Sequence, residues 1–235
     1  MKTDKRSKAI IHSLYEHPMS GEKIEERSFQ IIDEEAPGHD FSPDQWEVVR
    51  RMIHTTADFG LIRDVKFSSD AVNAGVAALR AGVPIYVDSN MIKSGLSLAR
   101  LRRICPDYGP GSIFCHVADE DVAQEAREKG LPRSLFAVQK ARRVLHGAIA
   151  VFGNAPVALM ELNRLIMEED VRPAVVVAMP VGFVHVTESK QELMSLDVPF
   201  IAVAGRRGGS PLAVSTLHAL CSVALGREQP KTQVE

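Results

Sequence analysis

The feature that most constrains this chain is a series of short, almost uninterrupted apolar runs separated by helical patterns. The runs are Pro84-Ile85-Tyr86-Val87, Ser112-Ile113-Phe114-Cys115-His116-Val117, Ala148-Ile149-Ala150-Val151-Phe152, Ala174-Val175-Val176-Val177-Ala178 and Phe200-Ile201-Ala202-Val203-Ala204. They are short and rich in β-branched residues, which marks them as strands. A strand that is apolar at every position is covered on both faces. Strands that alternate with helices are joined by right-handed crossovers, which make a parallel sheet. The pattern therefore predicts an α/β fold: a three-layer α/β/α domain with a largely parallel sheet and an N-terminal helical segment wrapping onto it. The connecting helices read as residues 69–81, stopped by Gly82; roughly 96–104; 119–129, closed by Gly130; and one starting at Pro132-Arg133-Ser134. With 45% apolar residues among 235, one sizeable core is within reach. No repeat period or long linker calls for a second domain.

The first quarter of the chain reads as helical. Residues 1–17 form a short amphipathic extension broken at His17-Pro18, and a helix from Ser20 to Ala36 carries Ile24, Ile31 and Ile32 on one face, with Ser28 one turn after Ile24. Pro37-Gly38 ends it. The next helix opens on Ser42-Pro43-Asp44-Gln45, a capping-box pattern with proline in the first turn. Trp46, Val49, Ile53 and Ala57 then make a buried stripe, and Gly60 closes the helix. His54 stands at the edge of that stripe, with Arg50 and Arg51 before it and Asp58 after it. This placement predicts a partly buried imidazole between cations that disfavour its charged form and a carboxylate that favours it. Two readings of His54 stand at this point: a ring satisfied by a backbone carbonyl at a helix end, or a general acid and base.

Charge is nearly balanced, 28 basic against 30 acidic residues, so no global field recruits nucleic acid or a membrane surface. Any anion site must be local. Three cysteines, Cys105, Cys115 and Cys221, are widely spaced and contain no CxxC pair. That pattern predicts neither a disulfide framework nor a structural zinc site, and it fits a reducing cytoplasm. The charged start, Met1-Lys2-Thr3-Asp4-Lys5-Arg6, with only a short interrupted apolar run after it, reads as neither signal peptide nor membrane anchor. Histidines are scattered without an HxH or HxxxH pair, and His116 and Cys115 are expected to alternate across a strand. A protein-held metal is not expected. No GxSxG elbow, P-loop or GxGxxG turn is present, so neither a covalent hydrolase nor a nucleotide cofactor is indicated.

In parallel sheets ligands gather where the strands end. The loops there begin Asp88-Ser89-Asn90, His116-Val117-Ala118-Asp119, Gly153-Asn154-Ala155-Pro156, Met179-Pro180-Val181-Gly182-Phe183 and Gly205-Arg206-Arg207-Gly208-Gly209-Ser210-Pro211. The last leads into a helix begun by Pro211, and its free N–H groups with Arg206 and Arg207 predict an anion cradle, against the plainer reading of a glycine-rich turn. In the loop at Gly153-Asn154, Pro156 suits the first helical position, a structural role compatible with backbone contact to a ligand. Arg133, in the first turn of its helix, opposes the helix dipole, as surface variation or as a ligand contact.

Seven segments occur together in a recognisable order: Glu26-Arg27-Ser28-Phe29, Arg51-Met52-Ile53-His54, Pro132-Arg133-Ser134, Gly153-Asn154-Ala155-Pro156-Val157-Ala158-Leu159, Met179-Pro180-Val181-Gly182-Phe183-Val184, Glu188-Ser189-Lys190 and Gly205-Arg206-Arg207-Gly208-Gly209-Ser210. On these the chain resembles the precorrin-8X methylmutase (cobalt-precorrin isomerase) family of corrin biosynthesis, over residues 18–225, with 1–17 an extension and 226–235 a tail. The resemblance implies an isomerase of cobalamin biosynthesis that moves a methyl group between adjacent ring C carbons of precorrin-8X or cobalt-precorrin-8, giving hydrogenobyrinic or cobyrinic acid. It implies no cofactor, with cobalt only as part of the substrate, and a homodimer with sites near the subunit boundary. His54 matches the family's proton donor and acceptor. Ser28, Arg51 and Arg133 match substrate-binding positions, and Asn154, Arg206, Gly208, Gly209 and Ser210 join them as groups to hold the macrocycle's acetates and propionates. Thr55-Thr56 fall in a variable part of the segment and carry no role. Two competing readings are a tetrapyrrole carrier without turnover and an unrelated α/β enzyme acting on a smaller polyanion at Gly205–Ser210.

Overall fold

A computed structural model describes residues 9–226, and among these six strands form one sheet. The strands are β1 (Val65–Phe67), β2 (Ile85–Val87), β3 (Ile113–Phe114), β4 (Ile149–Phe152), β5 (Val175–Ala178) and β6 (Phe200–Val203), in spatial order β1-β6-β5-β4-β2-β3. All neighbours are parallel except β1, which runs antiparallel to β6 with Val65 opposite Val203. The chain divides into two compact units, one up to Pro37 and one from Gly38 onward. The first contains α1 (Ile11–Glu16) and α2 (Gly21–Glu35), the latter capped by Ser20. The second contains the sheet and the remaining helices. These are α3 (Pro43–Thr56), α4 (Leu61–Asp64), α5 (Ala71–Arg80), α6 (Asn90–Gly95), α7 (Leu98–Arg102), α8 (Glu120–Lys129), α9 (Arg133–Lys140), α10 (Arg142–Leu145), α11 (Pro156–Glu169), α12 (Val186–Met194) and α13 (Ser210–Gly226).

Alternation along the strands divides the core. Tyr86, Ala150, Phe152, Val176, Ala178, Phe200 and Ala202 share one cluster with Val138 of α9, Leu159 and Leu162 of α11 and Leu193 of α12. The intervening residues, such as Val151, Val177 and Ile201, point to the opposite face, where α5 and α13 pack on β4 and β5. Helices thus cover both faces of a mostly parallel sheet, which is the expected layering. Outside that layer α13 makes its most extensive packing with α3.

Several local expectations are corrected. The capping box forms, with Ser42 Oγ accepting from Gln45 N–H (3.3 Å) and Gln45 Oε1 accepting from Ser42 N–H (3.0 Å). The helix nevertheless ends at Thr56, before Gly60, because Ala57 turns left-handed (φ 54°) with its N–H on the Ile53 carbonyl. Ala57 is exposed and leaves the buried stripe. The helix expected over roughly 96–104 is observed as the shorter α7, capped by Ser97, and a further short helix, α6, precedes it. Strand β1 was not anticipated. Strand β3 is two residues long, so Cys115 and His116 lie in the loop beyond it rather than on opposite faces of a strand. His116 Nδ1 instead meets Asp119 Oδ2 at 2.8 Å, just before α8. The expected 1–17 helix is observed only as α1, because residues 1–8 lie outside the described chain, as does the tail from 227.

Setting β1 aside, the sheet grows from β2 to β3 on one side and then through β4, β5 and β6 on the other. The reversal falls between β2 and β4. Such a switch point opens a crevice at the carboxyl ends of the strands.

Candidate functional site

The loop after β6 is built to press against its neighbours. A Cβ on Gly208 would stand 2.2 Å from the Met179 carbonyl oxygen, so only glycine permits this approach. Gly205 and Gly209 hold φ of 72° and 126°, conformations that glycine adopts freely. Gly209 donates its N–H to Met179 O at 2.7 Å, which corrects the expectation that the N–H groups of 208–210 are all open to a ligand. Beneath the loop lies Lys190 of α12, with no exposed surface. Its ammonium donates to Gly205 O (3.0 Å) and Arg207 O (2.6 Å). Burial pulls its pKa down to about 8, against a smaller upward effect from Asp64.

The two arginines of this loop divide. Arg207 reaches Asp58 Oδ2 and Asp64 Oδ2, each at 3.2 Å, while Asp58 Oδ1 accepts the Gly60 N–H at 2.8 Å. Arg207 is therefore a strap between the loop and the chain after α3. Arg206 is exposed and stands 5.4 Å from the centroid of Phe183, a cation–π distance.

Two adjacent clefts flank the α3–α13 pair. The first, of about 330 Å³, is lined by Arg51 and Thr55 of α3, Met91 and Gly95 of α6, and Ser210, Ser215 and His218 of α13. The second, of about 370 Å³, is lined by Thr56, Asp58, Val181, Arg206, Arg207 and Gly208. Thr55 and Thr56, consecutive in the chain, each line one cleft, so the clefts are neighbours. Arg51 is 8% exposed and enters the first cleft from the buried side of its helix. His218 accepts the Ser97 N–H at Nε2 (3.1 Å), which leaves Nδ1 to carry the ring proton in that bond. Ser89 and Ser210 hydroxyls meet at 3.1 Å in a buried contact.

Of the residues singled out from sequence, the structure gathers Arg51, Arg206, Gly208 and Ser210 around these clefts. His54 is on the same helix but exposed, and it lines neither cleft. Helical spacing turns it about 60° from Arg51, to the side opposite Thr55. The expected partial burial is thus corrected: the neighbouring Ile53 is buried, but Asp58 lies beyond the helix end and pairs with Arg207. Arg50 pairs with Glu47. Asn154 is exposed in the loop after β4. Arg133 opens α9, which packs on α8, α10 and α11, and it lines neither cleft. Ser28 is half-buried on α2, in the N-terminal unit. Lys190, Asp88, Ser89 and His218 were not assigned roles from sequence. Asp88, Ser89 and Lys190 lie in segments named above, but Lys190 has polar neighbours on both sides, and only the place of Asp88 at the end of an apolar run was a signal.

A sequence model of the family described as precorrin-8X methylmutase matches residues 23–223. The chain belongs to that family. It is 44% identical over 208 residues to the cobalt-precorrin-8 methylmutase of Leptospira interrogans, covering 85% of this chain and 92% of that protein. To the precorrin-8X methylmutase of a Sinorhizobium species it is 36% identical over 213 residues, covering 90% and 99%. The crystal structure of a precorrin-8X methylmutase from Thermus thermophilus superposes with a TM-score of 0.80 at 44% identity, covering 90% of this chain and 100% of that one. Methylmutases named for either the metal-free or the cobalt substrate are therefore both among its relatives.

Proposed function

We propose that this chain is an isomerase of cobalamin biosynthesis that moves a methyl group between adjacent ring C carbons of precorrin-8X or cobalt-precorrin-8. The observation that carries this reading is the family match across nearly the whole second unit, together with Arg51 and Ser210 meeting in one cleft beside the His54 helix. A methyl shift on a conjugated ring redistributes π-electron density, so a proton delivered to the macrocycle and later withdrawn lowers the barrier. His54 supplies and reclaims that proton. Arg51 and Arg206, from separate clefts, hold peripheral carboxylates, and Phe183 offers an apolar face to the ring system. Arg133, Asn154, Gly208, Gly209 and Ser210 complete the substrate contacts of the second unit in this reading, with Gly209, whose N–H is bonded to Met179 O, shaping the loop.

Exposure of His54 supports a second element of the proposal, a homodimer whose partner copy encloses the histidine. Proton transfer to a carbon framework gains from a dry, fixed environment. Met91, which lines the first cleft, is 66% exposed, and Phe183, beside Arg206 of the second, is 81% exposed, as a covered surface would require. The enzyme needs no cofactor of its own, cobalt arriving only within the substrate, and it works in the cytoplasm without nucleic-acid or membrane partners. No helix of the described residues is long and apolar enough to cross a membrane.

The test is visible absorbance of precorrin-8X and of cobalt-precorrin-8 incubated with the wild type and with His54→Ala. Conversion to the corrin chromophore by the wild type, slowed about a hundredfold to ten-thousandfold in the variant, is expected. Binding without conversion by either protein would establish a carrier instead. Equal conversion would remove His54 from the chemistry.

A further inference from the structure

The crevice at the switch point between β2 and β4 is where parallel sheets of this kind receive an anionic group, on backbone N–H groups that start the following helix. Here that position is already filled from within. Asp88, the residue after β2, is 2% exposed. Its Oδ1 accepts the Gly153 N–H at 3.0 Å, and its Oδ2 accepts those of Asn154 and Ala155, both at 2.9 Å. Three consecutive N–H groups converge on one carboxylate, directly before α11. Asp88 is itself tied down, its N–H donating to Val151 O at 3.1 Å.

The loop so held has a second contact. A Cβ on Gly153 would stand 2.9 Å from Ser210 Cα and 2.9 Å from Ala213 Cβ, so the loop lies flush against the first turn of α13. The next residue of the β2 loop, Ser89, meets the Ser210 hydroxyl at 3.1 Å and also accepts the Ile92 N–H at 3.3 Å. Asp88 and Ser89 thus fix one wall of the crevice and the residue that opens α13 into the Arg51 cleft.

We propose that Asp88 is a positioning residue that acts as a built-in anion: its carboxylate occupies the nest at the switch point, excludes external anions there, and sets Asn154 and Ser210 for the substrate. The substrate's carboxylates are consequently directed to the α3–α13 side of the fold, where the arginines are. The effect on turnover rests on the isomerase reading above, whereas occupancy of the nest does not.

The experiment compares wild type, Asp88→Ala and Asp88→Asn in formate and in chloride at equal ionic strength. In Asp88→Ala, KM for cobalt-precorrin-8 is expected to rise on the order of tenfold to a hundredfold with kcat little changed, and formate to restore it. The same salt raises the thermal unfolding midpoint of Asp88→Ala and leaves that of the wild type unmoved. Asp88→Asn is not rescued, because the amide fills the space and turns an N–H toward N–H groups. An unaltered KM in Asp88→Ala, or a loss that formate does not relieve, overturns the proposal. Should neither protein turn over, the isomerase reading fails while the formate effect on the unfolding midpoint still decides the nest. If Asp88→Ala folds only poorly, its refolded yield in formate against chloride decides: recovery supports the built-in anion, and equal failure in both salts refutes it.

Discussion

Lys190→Met should leave the fold standing at neutral pH and change how stability responds to alkali. The wild-type ammonium donates to Gly205 O and Arg207 O at 3.0 and 2.6 Å, and its loss strands two carbonyls. Each charged hydrogen bond is worth about 1.5–3 kcal/mol. Against this, burial has lowered the pKa to about 8, from about 10.4 in the unfolded chain, an opposing cost of about 3 kcal/mol. The two bonds together outweigh that cost slightly at most, so a net loss of about 0–3 kcal/mol is expected at pH 7. The pH dependence is sharper. Between the folded and unfolded pKa the unfolded chain binds more protons, so stability rises with pH across that window. Relative to Lys190→Met, the wild type should gain about 1 kcal/mol by pH 9 and about 2–3 kcal/mol by pH 10. Urea unfolding of both proteins from pH 7 to 10 measures it, and other titrating groups cancel in the difference. Parallel curves would refute the lowering of the Lys190 pKa by burial beneath the loop.

Further outcomes can be checked on the same protein. Arg207→Ala breaks contacts to Asp58 and Asp64 that are largely exposed, so stability should fall by less than about 1 kcal/mol. The loop loses its strap, however, and KM should rise. Gly208→Ala forces a carbon against the Met179 carbonyl and should cost about 1–3 kcal/mol in denaturant unfolding, with substrate binding weakened. Tyr86→Phe removes a fully buried hydroxyl that has no hydrogen-bond partner among the described residues, and should raise stability by about 1 kcal/mol. A loss of stability in that variant would show the hydroxyl to be satisfied.

The parallel sheet was legible because β2, β4, β5 and β6 are buried on both sides and so leave continuous apolar runs. Strand β1 was not, since Val65-Lys66-Phe67 is three residues long and takes its place by pairing with the distant β6. The capping box of α3 could be read because its donors and acceptors are three residues apart. Periodicity also placed His54 beside an apolar stripe, yet it describes only a helix's own faces, and what covers the flank of α3 is not written in α3. Arg207 illustrates the same limit. In sequence it was indistinguishable from Arg206, and only the fold brings Asp58 and Asp64 to one and Phe183 to the other.

The packing of α3 on α13 carries a consequence for how the molecule comes to exist. The helix that bears Arg51 and His54 is complete by residue 56, yet its main partner begins at residue 210, and β1 likewise waits for β6. A chain emerging from the ribosome therefore carries α3 early and without its main packing partner until α13 arrives. Closing such long-range contacts is slow, and a chain stopped before α13 lacks the surface on which α3 packs.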